Sequence, residues 1–447
     1  MIYLFDLDGT LFDTKLANAM AYKIAINKLG YKWELEDYYK VGGKCVEEFA
    51  PSGIDLNELK RLKAIYYKQN FELVKPNKNV LKIFKTAKNK MIVTTARREN
   101  VEGLLKYFNI DFDSNLIICQ EDVKNKKPSP ECYLLAKEKM KYLNDDFIAF
   151  EDSIEGISAA RQAGIKVLKV NKSEIGIADL SGGSQAKTYL MFENENIFIR
   201  KIIPLEFSDR LKSQAEWYKE QNMLLNEEYT ENSYIIDIKY VDGILFNEMI
   251  NKHHFLEKII NIIEDMHNGD KIEYCYDIDK FIEKHIYSCI SKWDSSKAEK
   301  IKNKIEKIDK EKFNKIKCDG KCHGDCTFTN IIMTGKTKKE NPVLIDPAPD
   351  GNFFNCVLFD LAKFGHSVYG YEKIIRGIEF DDYDYFLREK YNEILSSKYS
   401  DDEIYCLKFF LMSFYFRRLK HQVVQDSSKC QILFDEGEKI LDELINI

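Results

Sequence analysis

The chain has 447 residues, of which 45% are hydrophobic and 31% are charged, and its formal net charge is −6 at pH 7. This length predicts two or three domains with sizeable cores, and the mild net charge argues against a nucleic-acid partner. The N-terminal pattern is not that of a signal peptide and no apolar stretch is long enough to span a bilayer, so we expect neither a leader nor a membrane span. The 11 cysteines are odd in number and scattered, which favours reduced thiols. We therefore expect a cytoplasmic protein without a membrane partner.

Residues 1–175 alternate short apolar runs with helical patterns. Such alternation predicts an α/β fold in which a parallel sheet carries helices on both faces. A crossover needs only about a dozen residues, so the long helical segment at about 14–85 predicts an inserted cap over the sheet. We place the end of this first domain at residue 177. The predicted strands are residues 2–5, 91–94, 115–119, 147–150 and 166–170.

Residue types suited to phosphate chemistry follow these predicted strands. Asp6 and Asp8 come directly after the first strand, at the sheet edge where open α/β folds bind ligands. One carboxylate can attack phosphorus as a nucleophile, and the other can protonate the leaving oxygen. Thr94 ends the second strand, Lys127 precedes a predicted helix, and Glu151-Asp152 ends a later strand as a pair suited to Mg²⁺. Each feature alone has an ordinary explanation, but together they predict a phosphoryl-transfer site.

Residues 1–175 resemble the haloacid dehalogenase (HAD) superfamily of phosphatases and phosphomutases, and the segment EDSIEGISAARQAG at 151–164 is similar to its helical-cap subgroup. The resemblance implies a HAD-like Rossmannoid sheet, an aspartyl-phosphate intermediate, a small-molecule phosphoester substrate and Mg²⁺. Gly43 and Lys44 lie where that subgroup often contacts substrate, although a surface lysine explains Lys44 equally well. The implied roles are Asp6 as nucleophile, Asp8 as acid/base, Thr94 and Lys127 as phosphate ligands, Asp6, Asp8 (through its carbonyl) and Asp152 as metal ligands, and Glu151 in support.

The pattern changes after residue 178. Two strand-like runs at 187–192 and 197–203 are followed by a helix at about 206–224, a strand at about 233–240 and then mostly helical sequence. This order predicts a second domain at 178–447 of the α+β class.

The segment HGDCTFTN places Asp325 and Asn330 with four residues between them, and a strand-like run at 343–345 leads into Asp346. Kinases use an Asp and an Asn at this spacing, with a second Asp on a later strand. Asp325 would orient the acceptor hydroxyl, while Asn330 and Asp346 would hold Mg²⁺ against the ATP phosphates. The loop reads His-Gly-Asp where protein kinases have His-Arg-Asp, and Asp346 is followed by Pro-Ala where they have Phe-Gly. Both differences argue against a protein kinase.

This region resembles the aminoglycoside phosphotransferase / choline kinase group of small-molecule kinases. The resemblance implies a two-lobed, protein-kinase-like domain, with a smaller lobe at about 178–241 and a larger lobe at about 242–447. It also implies supporting roles for His323 and Asp360, although a helix cap also explains Asp360. The segment from 344 to 372, beginning LIDPAPDG, is most similar to kinase-like proteins associated with surface-polysaccharide biosynthesis. Cys318, Cys322 and Cys326 flank His323 as zinc ligands might, but they lack paired Cys-x-x-Cys spacing, so zinc is the less favoured alternative.

Residues upstream of this loop would bind the nucleotide. Gly182, Gly183 and Ser184 could cover phosphates through their backbone N–H groups, although Gly-Gly-Ser is also typical of a linker. Lys201 would contact the α- and β-phosphates, with Glu216, or alternatively Glu220, as its ion-pair partner. Residues 238–241 are the expected adenine-contacting hinge. A full Gly-rich loop is lacking, which leaves ATP versus GTP open.

We therefore expect a bifunctional enzyme, a Mg²⁺-dependent phosphatase joined to an ATP-dependent kinase for a hydroxyl of a sugar, alcohol or amino alcohol. Making and destroying the same ester would waste ATP, so the two sites should use different substrates. A phosphomutase in the first domain, or a non-catalytic regulator in either domain, remains an alternative. Acidic residues at 379–384 would suit a cationic acceptor, but a solvated loop explains them equally well.

Overall fold

The computed structural model describes residues 1–41, 46–140, 146–182, 185–267, 277–318, 322–335, 341–349 and 355–446. The chain divides into two compact units, Met1–Ile202 and Ile203–Ile447. The first compact unit includes residues 178–202. The domain boundary expected from the sequence, between residues 177 and 178, stays a prediction. Within the ranges given above, none of the helices combines the length and apolar character needed to cross a membrane.

The first unit begins with a buried strand and a helical insertion. Strand β1 (Ile2–Phe5) is completely buried. Helix α1 packs on α4, and buried residues of the insertion form a small core of their own. The short strands β2 and β3 pair antiparallel at its base, where Phe12 faces Pro76. The elements of the insertion are β2 (Phe12–Asp13), α1 (Lys15–Lys28), α2 (Leu35–Lys40), α3 (Val46–Phe49), α4 (Leu56–Gln69) and β3 (Lys75–Pro76).

The remaining elements complete the parallel sheet and its helical layers, and add the strands β8, β9 and β10 of a separate sheet. They are α5 (Lys78–Thr86), β4 (Lys90–Val93), α6 (Arg98–Tyr107), β5 (Ile117–Ile118), α7 (Glu131–Met140), β6 (Phe147–Glu151), α8 (Ile154–Gln162), β7 (Lys166–Lys169), β8 (Ala178–Asp179), β9 (Lys187–Glu193) and β10 (Asn196–Pro204). Helix α5, which the sequence placed in the cap, packs on the sheet, with the ring of Phe84 5.2 Å from that of Phe5.

The parallel sheet predicted from the sequence is confirmed. Its order is β5-β4-β1-β6-β7, with Leu4 opposite Met91 in β4 and Ala149 in β6. Strand β5 is shorter than predicted because residues 114–116 form a 3₁₀ turn capped by Asp113. Since all these strands run in the same direction, their carboxyl ends meet at one edge. We call this edge the carboxyl edge.

Strands β9 and β10 form a hairpin with Ile197 opposite Phe192. Its turn contains Asn194 and Glu195, both with positive φ, at 52° and 65°, which matches the primed turns of two-residue hairpins. The ring of Phe192 lies 5.6 Å from that of Tyr3 and 5.8 Å from that of Phe150. These aromatic contacts explain why the hairpin belongs to the first compact unit.

The second unit contains β-structure and many helices. The strands β11 and β12 pair antiparallel, and β13, β14 and β15 form a second antiparallel sheet. The long helix α17 packs on α14 and α18. The two-lobed, kinase-like fold stays a prediction. The elements are α9 (Asp209–Glu220), β11 (Leu224–Tyr229), β12 (Ser233–Lys239), β13 (Ile244–Leu245), α10 (Leu256–Met266), α11 (Ile278–Ile282), α12 (Ser288–Ser291), α13 (Ser295–Ile305), β14 (Ile331–Thr334), β15 (Asn341–Leu344), α14 (Val357–Val368), α15 (Tyr371–Arg376), α16 (Asp382–Lys398), α17 (Asp401–Gln425) and α18 (Cys430–Ile445).

Candidate active sites

Lys127 connects three strand ends at the carboxyl edge of the first unit. Its Nζ lies 2.6 Å from Asp6 Oδ1 and 2.5 Å from Glu151 Oε1, and it donates a hydrogen bond of 2.9 Å to the carbonyl of Val93. Burial works against the charge of Lys127, but the charges of Asp6 and Glu151 hold its pKa well above the usual range. A permanent positive charge therefore lies beside Asp6.

The Glu151 carboxylate is fully buried and its oxygens already have partners. Oε1 accepts hydrogen bonds of 2.5 Å from Lys127 and from the Tyr133 hydroxyl, and Ser153 Oγ lies 3.4 Å from Oε2. A Cβ at Gly156 would lie 2.1 Å from Oε2, so only glycine leaves room for the carboxylate there. Glu151 thus fixes the position of Lys127, as a supporting residue would.

Asp152 and Asp6 form the acidic part of this edge. Oxygen atoms of Asp6, Glu151 and Asp152 lie within 4.8 Å of one another. Burial and the charge of Glu151 raise the pKa of Asp152 to about 6, and burial raises the pKa of Asp6 well above its usual range. Because Lys127 alone does not offset these crowded carboxylates, the donor set fits a hard divalent cation such as Mg²⁺.

Gly9 allows this acidic group to form. It has a φ of 85°, and a Cβ there would lie 2.0 Å from Asp152 Oδ2. Its N–H donates a hydrogen bond of 2.7 Å to the carbonyl of Phe12, which closes a tight turn after β1. The turn carries Asp6 and Asp8 at the carboxyl edge, so the Asp-x-Asp-Gly order has a geometric reason.

Asp8 faces residues of the helical cap. Its Oδ1 accepts a hydrogen bond of 2.5 Å from Thr14 Oγ1. Lys63 and Tyr67 on α4 interact electrostatically with Asp8, and the Lys63 ammonium lies 4.5 Å from the centre of the Tyr67 ring. Burial lowers the pKa of Lys63 to about 8, although the Asp8 carboxylate opposes this shift. The cap therefore places a titratable cation near Asp8.

Thr94 lies at the end of β4 as predicted and is buried. Its N–H donates to the carbonyl of Ile118 at 2.9 Å, and its Oγ1 accepts from the N–H of Ala96 at 3.1 Å. The hydroxyl is thus held at the strand end that also supplies the carbonyl of Val93 to Lys127. The cap residues Gly43 and Lys44 lie outside the described residues.

Sequence reasoning identified the acidic residues and Lys127 but missed their partners. Tyr133, Thr14 and Lys63 come from helices or turns, and their local sequence gives no sign of these contacts. Gly156 offered a usable signal, because a glycine inside a helix is costly unless something approaches it closely. The partners follow from tertiary packing, which brings distant segments onto Glu151 and Asp8.

In the second unit, Asp360 is fully buried beneath the predicted catalytic loop. Its carboxylate accepts hydrogen bonds of 2.7 Å from the N–H groups of His323 and Gly324, and of 3.2 Å from Cys322 Sγ. His267 Nε2 lies 3.0 Å from the same carboxylate. Burial opposes ionisation, but these donors hold the pKa of Asp360 below its usual range. Asp360 therefore acts as a charged anchor for residues 322–324.

Asp325 and Asn330 contact each other directly. Asn330 Nδ2 donates hydrogen bonds of 2.9 Å to Asp325 Oδ2 and 3.0 Å to the Asp325 carbonyl. Asp325 Oδ1 lies 3.3 Å from Lys363 Nζ, a contact that sequence reasoning missed. His323 is buried, which lowers its pKa, and its Nδ1 accepts from the Asp325 N–H at 3.3 Å. The Asp-x₄-Asn spacing thus forms one compact loop.

Asp346 is connected to this loop through the preceding residue. Ile345 donates its N–H to the Asn330 carbonyl at 2.9 Å, and its carbonyl lies 3.0 Å from His323 Nε2. Asp346 has a φ of 57°, and its N–H donates to the Tyr218 hydroxyl at 2.9 Å. A left-handed backbone is strained for aspartate, and such strain is concentrated at functional sites. The metal-binding role of Asn330 and Asp346 remains a prediction.

The expected nucleotide-binding residues are less completely described. Gly182 is exposed, and a Cβ added there would have no atom within 4 Å outside its chain neighbours, whereas Gly183 and Ser184 lie outside the described residues. Lys201 is buried on β10, whereas Glu216 is exposed on α9. Their pairing, and the nucleotide contacts of all five residues, stay predictions.

The cysteines near His323 lie in the protein interior. The nine cysteines in the described ranges are all free and buried, and the only group of three acidic, histidine or cysteine ligands found there is that of Asp6, Glu151 and Asp152. Cys322 donates to Asp360, and burial keeps the Cys326 thiol protonated by raising its pKa. The zinc alternative is therefore not supported within these residues.

Residues 3–170 match the haloacid dehalogenase-like hydrolase family, so the first unit contains a HAD-like hydrolase domain. A phosphorylated carbohydrates phosphatase from Thermotoga maritima is 29% identical over 181 residues, covering 36% of this chain and 81% of that protein. The fructose-1-phosphate phosphatase YqaB of Escherichia coli is 24% identical over 177 residues, covering 37% and 94%. The structure of CbbY from Rhodobacter sphaeroides in complex with phosphate has 23% identity and a TM-score of 0.36, covering 41% of this chain and 90% of that one.

Proposed function

We propose that the first unit is a Mg²⁺-dependent phosphatase that hydrolyses a phosphorylated small molecule through an aspartyl-phosphate at Asp6. The observation that carries this proposal is the buried contact of Lys127 with both Asp6 and Glu151, 2.6 and 2.5 Å away. The family match over residues 3–170 supports it. Two relatives whose names specify phosphorylated carbohydrates and fructose 1-phosphate favour a sugar phosphate as substrate.

The proposed reaction uses the chain's own groups in sequence. The Asp6 carboxylate attacks phosphorus, and the bond to the leaving oxygen breaks while Asp8 donates a proton to that oxygen. Lys127 and the Thr94 hydroxyl contact the phosphoryl oxygens and offset their negative charge. Asp8 then removes a proton from the water that hydrolyses the aspartyl-phosphate. Asp8 would exchange its hydrogen bond to Thr14 for one to the substrate when the substrate binds.

Mg²⁺ would be held by Asp6, Asp152 and the carbonyl of Asp8, and when bound it supplies positive charge that stabilises the phosphoryl group during transfer. Glu151 is left out of this ligand set, because its oxygens are already used by Lys127, Tyr133 and Ser153. Its task is instead to keep Lys127 charged and in place.

Phosphate release from a panel of sugar phosphates and other phosphomonoesters tests this activity. Wild-type protein with Mg²⁺ should release phosphate, and Asp6→Asn should lose the activity while retaining its fold. Asp111→Asn, an exposed position in the same unit, serves as a matched control. Activity of Asp6→Asn equal to that of wild type would refute the assignment. Conversion of a sugar phosphate to its isomer without phosphate release would favour the phosphomutase alternative.

We also propose that the second unit transfers the γ-phosphoryl group of ATP to a hydroxyl of a small molecule. The supporting observation is the loop in which Asn330 contacts Asp325 at 2.9 Å while Asp360 anchors the preceding residues. Asp325 would accept or orient the hydroxyl proton, and Asn330 and Asp346 would hold Mg²⁺. Lys201 and Gly182 belong to the first compact unit, and their expected contacts with the ATP phosphates stay predictions from the sequence.

ADP formation by the full-length protein, measured with a panel of hydroxylated metabolites, tests the kinase proposal. Asp325→Asn should abolish acceptor-dependent ADP formation but retain ATP binding. The alternative of a ligand-binding regulator predicts nucleotide binding without turnover in wild type. The choice between ATP and GTP stays open, and a role in surface-polysaccharide precursor synthesis and a cytoplasmic location are further predictions from the sequence.

A further inference from the structure

Two cations share one aromatic ring beside Asp325. Lys363 Nζ lies 3.3 Å from Asp325 Oδ1 and 4.9 Å from the centre of the Phe414 ring. The guanidinium carbon of Arg417 lies 5.3 Å from the same ring centre. Helices α14 and α17 therefore bring a lysine and an arginine close to the residue that would orient the acceptor hydroxyl.

A third cation lies near the same group of rings, which includes a buried histidine. The Arg418 guanidinium lies 5.9 Å from the centre of the Tyr371 ring, which stacks on His366 with ring centres 4.1 Å apart. The His366 ring is 5.8 Å from that of Phe414. Burial and the three neighbouring cations lower the pKa of His366 well below its usual range, so this ring stays neutral. We call Lys363, Arg417 and Arg418 the cationic cluster.

Several buried nitrogen atoms of this region have no hydrogen-bond partner in the described part of the chain. They are Arg417 Nη1, Arg418 Nε and both ring nitrogens of His366. Arg418 does donate from Nη2 to Gln425 at 2.7 Å, but that partner is neutral. Leaving charged donors buried without acceptors is unfavourable. Their concentration in one place indicates a site that a ligand completes.

Among the described residues, the neighbouring carboxylates have other partners or face only Lys363. Asp325 faces Lys363, and Glu372 accepts a hydrogen bond of 2.5 Å from Ser367 while burial raises its pKa. Asp381 and Asp384, from the acidic stretch that suggested a cationic acceptor, lie 3.1 and 2.6 Å from Lys373. They also form the capping box of α16. The acidic stretch is thus used for local structure.

We propose that the cationic cluster binds the anionic group of the acceptor, so that the kinase substrate is a hydroxylated molecule carrying a carboxylate or phosphate. This inference rests on the proposed kinase function. The acceptor oxygen would form a bond to the γ-phosphorus as the bond to the bridging oxygen of ATP breaks. ADP leaves, and the hydroxyl proton passes to Asp325. Arg417 and Arg418 are specificity-determining residues that hold the acceptor.

A set of anionic acceptors and acceptors without an anionic group tests this proposal on the full-length protein with Mg²⁺ and ATP. Glycerate and glycerol phosphate provide the carboxylate and phosphate arms, with glycerol and choline as acceptors without an anionic group. We expect ADP formation only in the anionic arms. Arg417→Met should raise KM for the preferred acceptor about 10- to 100-fold with a smaller change in kcat, because it removes charged hydrogen bonds. Arg376→Met, at an exposed position of the same unit, should behave like wild type.

A preference for glycerol or choline, or an unchanged KM in Arg417→Met, would overturn the proposal. If no acceptor stimulates ADP formation, the kinase function fails and the cluster is tested separately. Inorganic sulfate should then slow hydrogen exchange in residues 405–425 of wild type but not of Arg417→Met. If sulfate slows exchange in wild type and not in Arg417→Met, the cluster is an anion site without kinase activity. If sulfate changes exchange equally in both proteins, the site is refuted.

Discussion

Replacing Asp152 by Asn should stabilise the metal-free first unit at neutral pH while abolishing its phosphatase activity. Burial, aided by the charge of Glu151, raises the pKa of Asp152 from 3.8 to about 6. An acid with a higher pKa in the folded chain binds more protons when folded, so the free energy of unfolding falls as the pH rises from about 4 to 6. Above that range the ionised carboxylate destabilises the metal-free fold, and Asn removes this charge.

The size of the effect follows from the shift in pKa. The change from 3.8 to about 6 corresponds to about 3 kcal/mol at about 1.4 kcal/mol per pKa unit. Asp152 is only partly buried, so solvent screening reduces this value, and we expect a gain of about 1–3 kcal/mol at pH 7.5 in EDTA. The gain should disappear at pH 4, where the unfolded chain also begins to bind the proton.

Hydrogen exchange of β1 amides measures this stability in the first unit alone. Protection factors of the β1 amides in metal-free Asp152→Asn should be roughly 5- to 150-fold higher than in wild type at pH 7.5. Asp111→Asn should leave them unchanged. Mg²⁺ should protect wild type but not Asp152→Asn, because only wild type retains the full ligand set. Unchanged or lower protection in metal-free Asp152→Asn at pH 7.5 would refute the electrostatic reasoning.

Three further substitutions test other parts of the account. Gly9→Ala should cost at least about 1 kcal/mol and most of the phosphatase activity, since its φ is 85° and the new Cβ meets Asp152; wild-type turnover would contradict this. Phosphatase activity should fall as the pH rises through 8, where Lys63 loses its proton. In a pH–rate profile, Lys63→Arg should shift this fall in activity to higher pH. Asp360→Ala should cost about 3–5 kcal/mol in thermal unfolding of the second unit, because the loop N–H groups lose a buried acceptor; an unchanged unfolding temperature would contradict it.

The carboxyl edge could be predicted because its residues adjoin the strands that carry them. Asp6 and Asp152 directly follow apolar runs, and parallel strands necessarily bring such positions to one edge. The sequence identifies Lys127 as a lysine before a predicted helix, but its role as a phosphate ligand comes from the resemblance to a known family. The roles of Tyr133 and Thr14 could not be read from the sequence, because each depends on how a helix or turn packs against a distant carboxylate.

The hairpin of β9 and β10 illustrates packing that the sequence does not reveal. The domain start near residue 178 stays a prediction, while the hairpin lies in the first compact unit. Contacts of Phe192 with Tyr3 and Phe150 account for this. Aromatic side chains in a strand predict burial but do not identify the surface that buries them. Local pattern alone therefore misses such packing.

Chemical trapping of the proposed intermediate tests the central claim most directly. Full-length protein incubated with Mg²⁺ and acetyl phosphate, quenched in acid and reduced with borohydride, should contain homoserine in place of Asp6, detected by peptide mass spectrometry. Asp6→Asn should yield no homoserine at any position. Phosphate release by Asp6→Asn at the wild-type rate, or reduction of a different aspartate in wild type, would contradict a phosphatase built around Asp6.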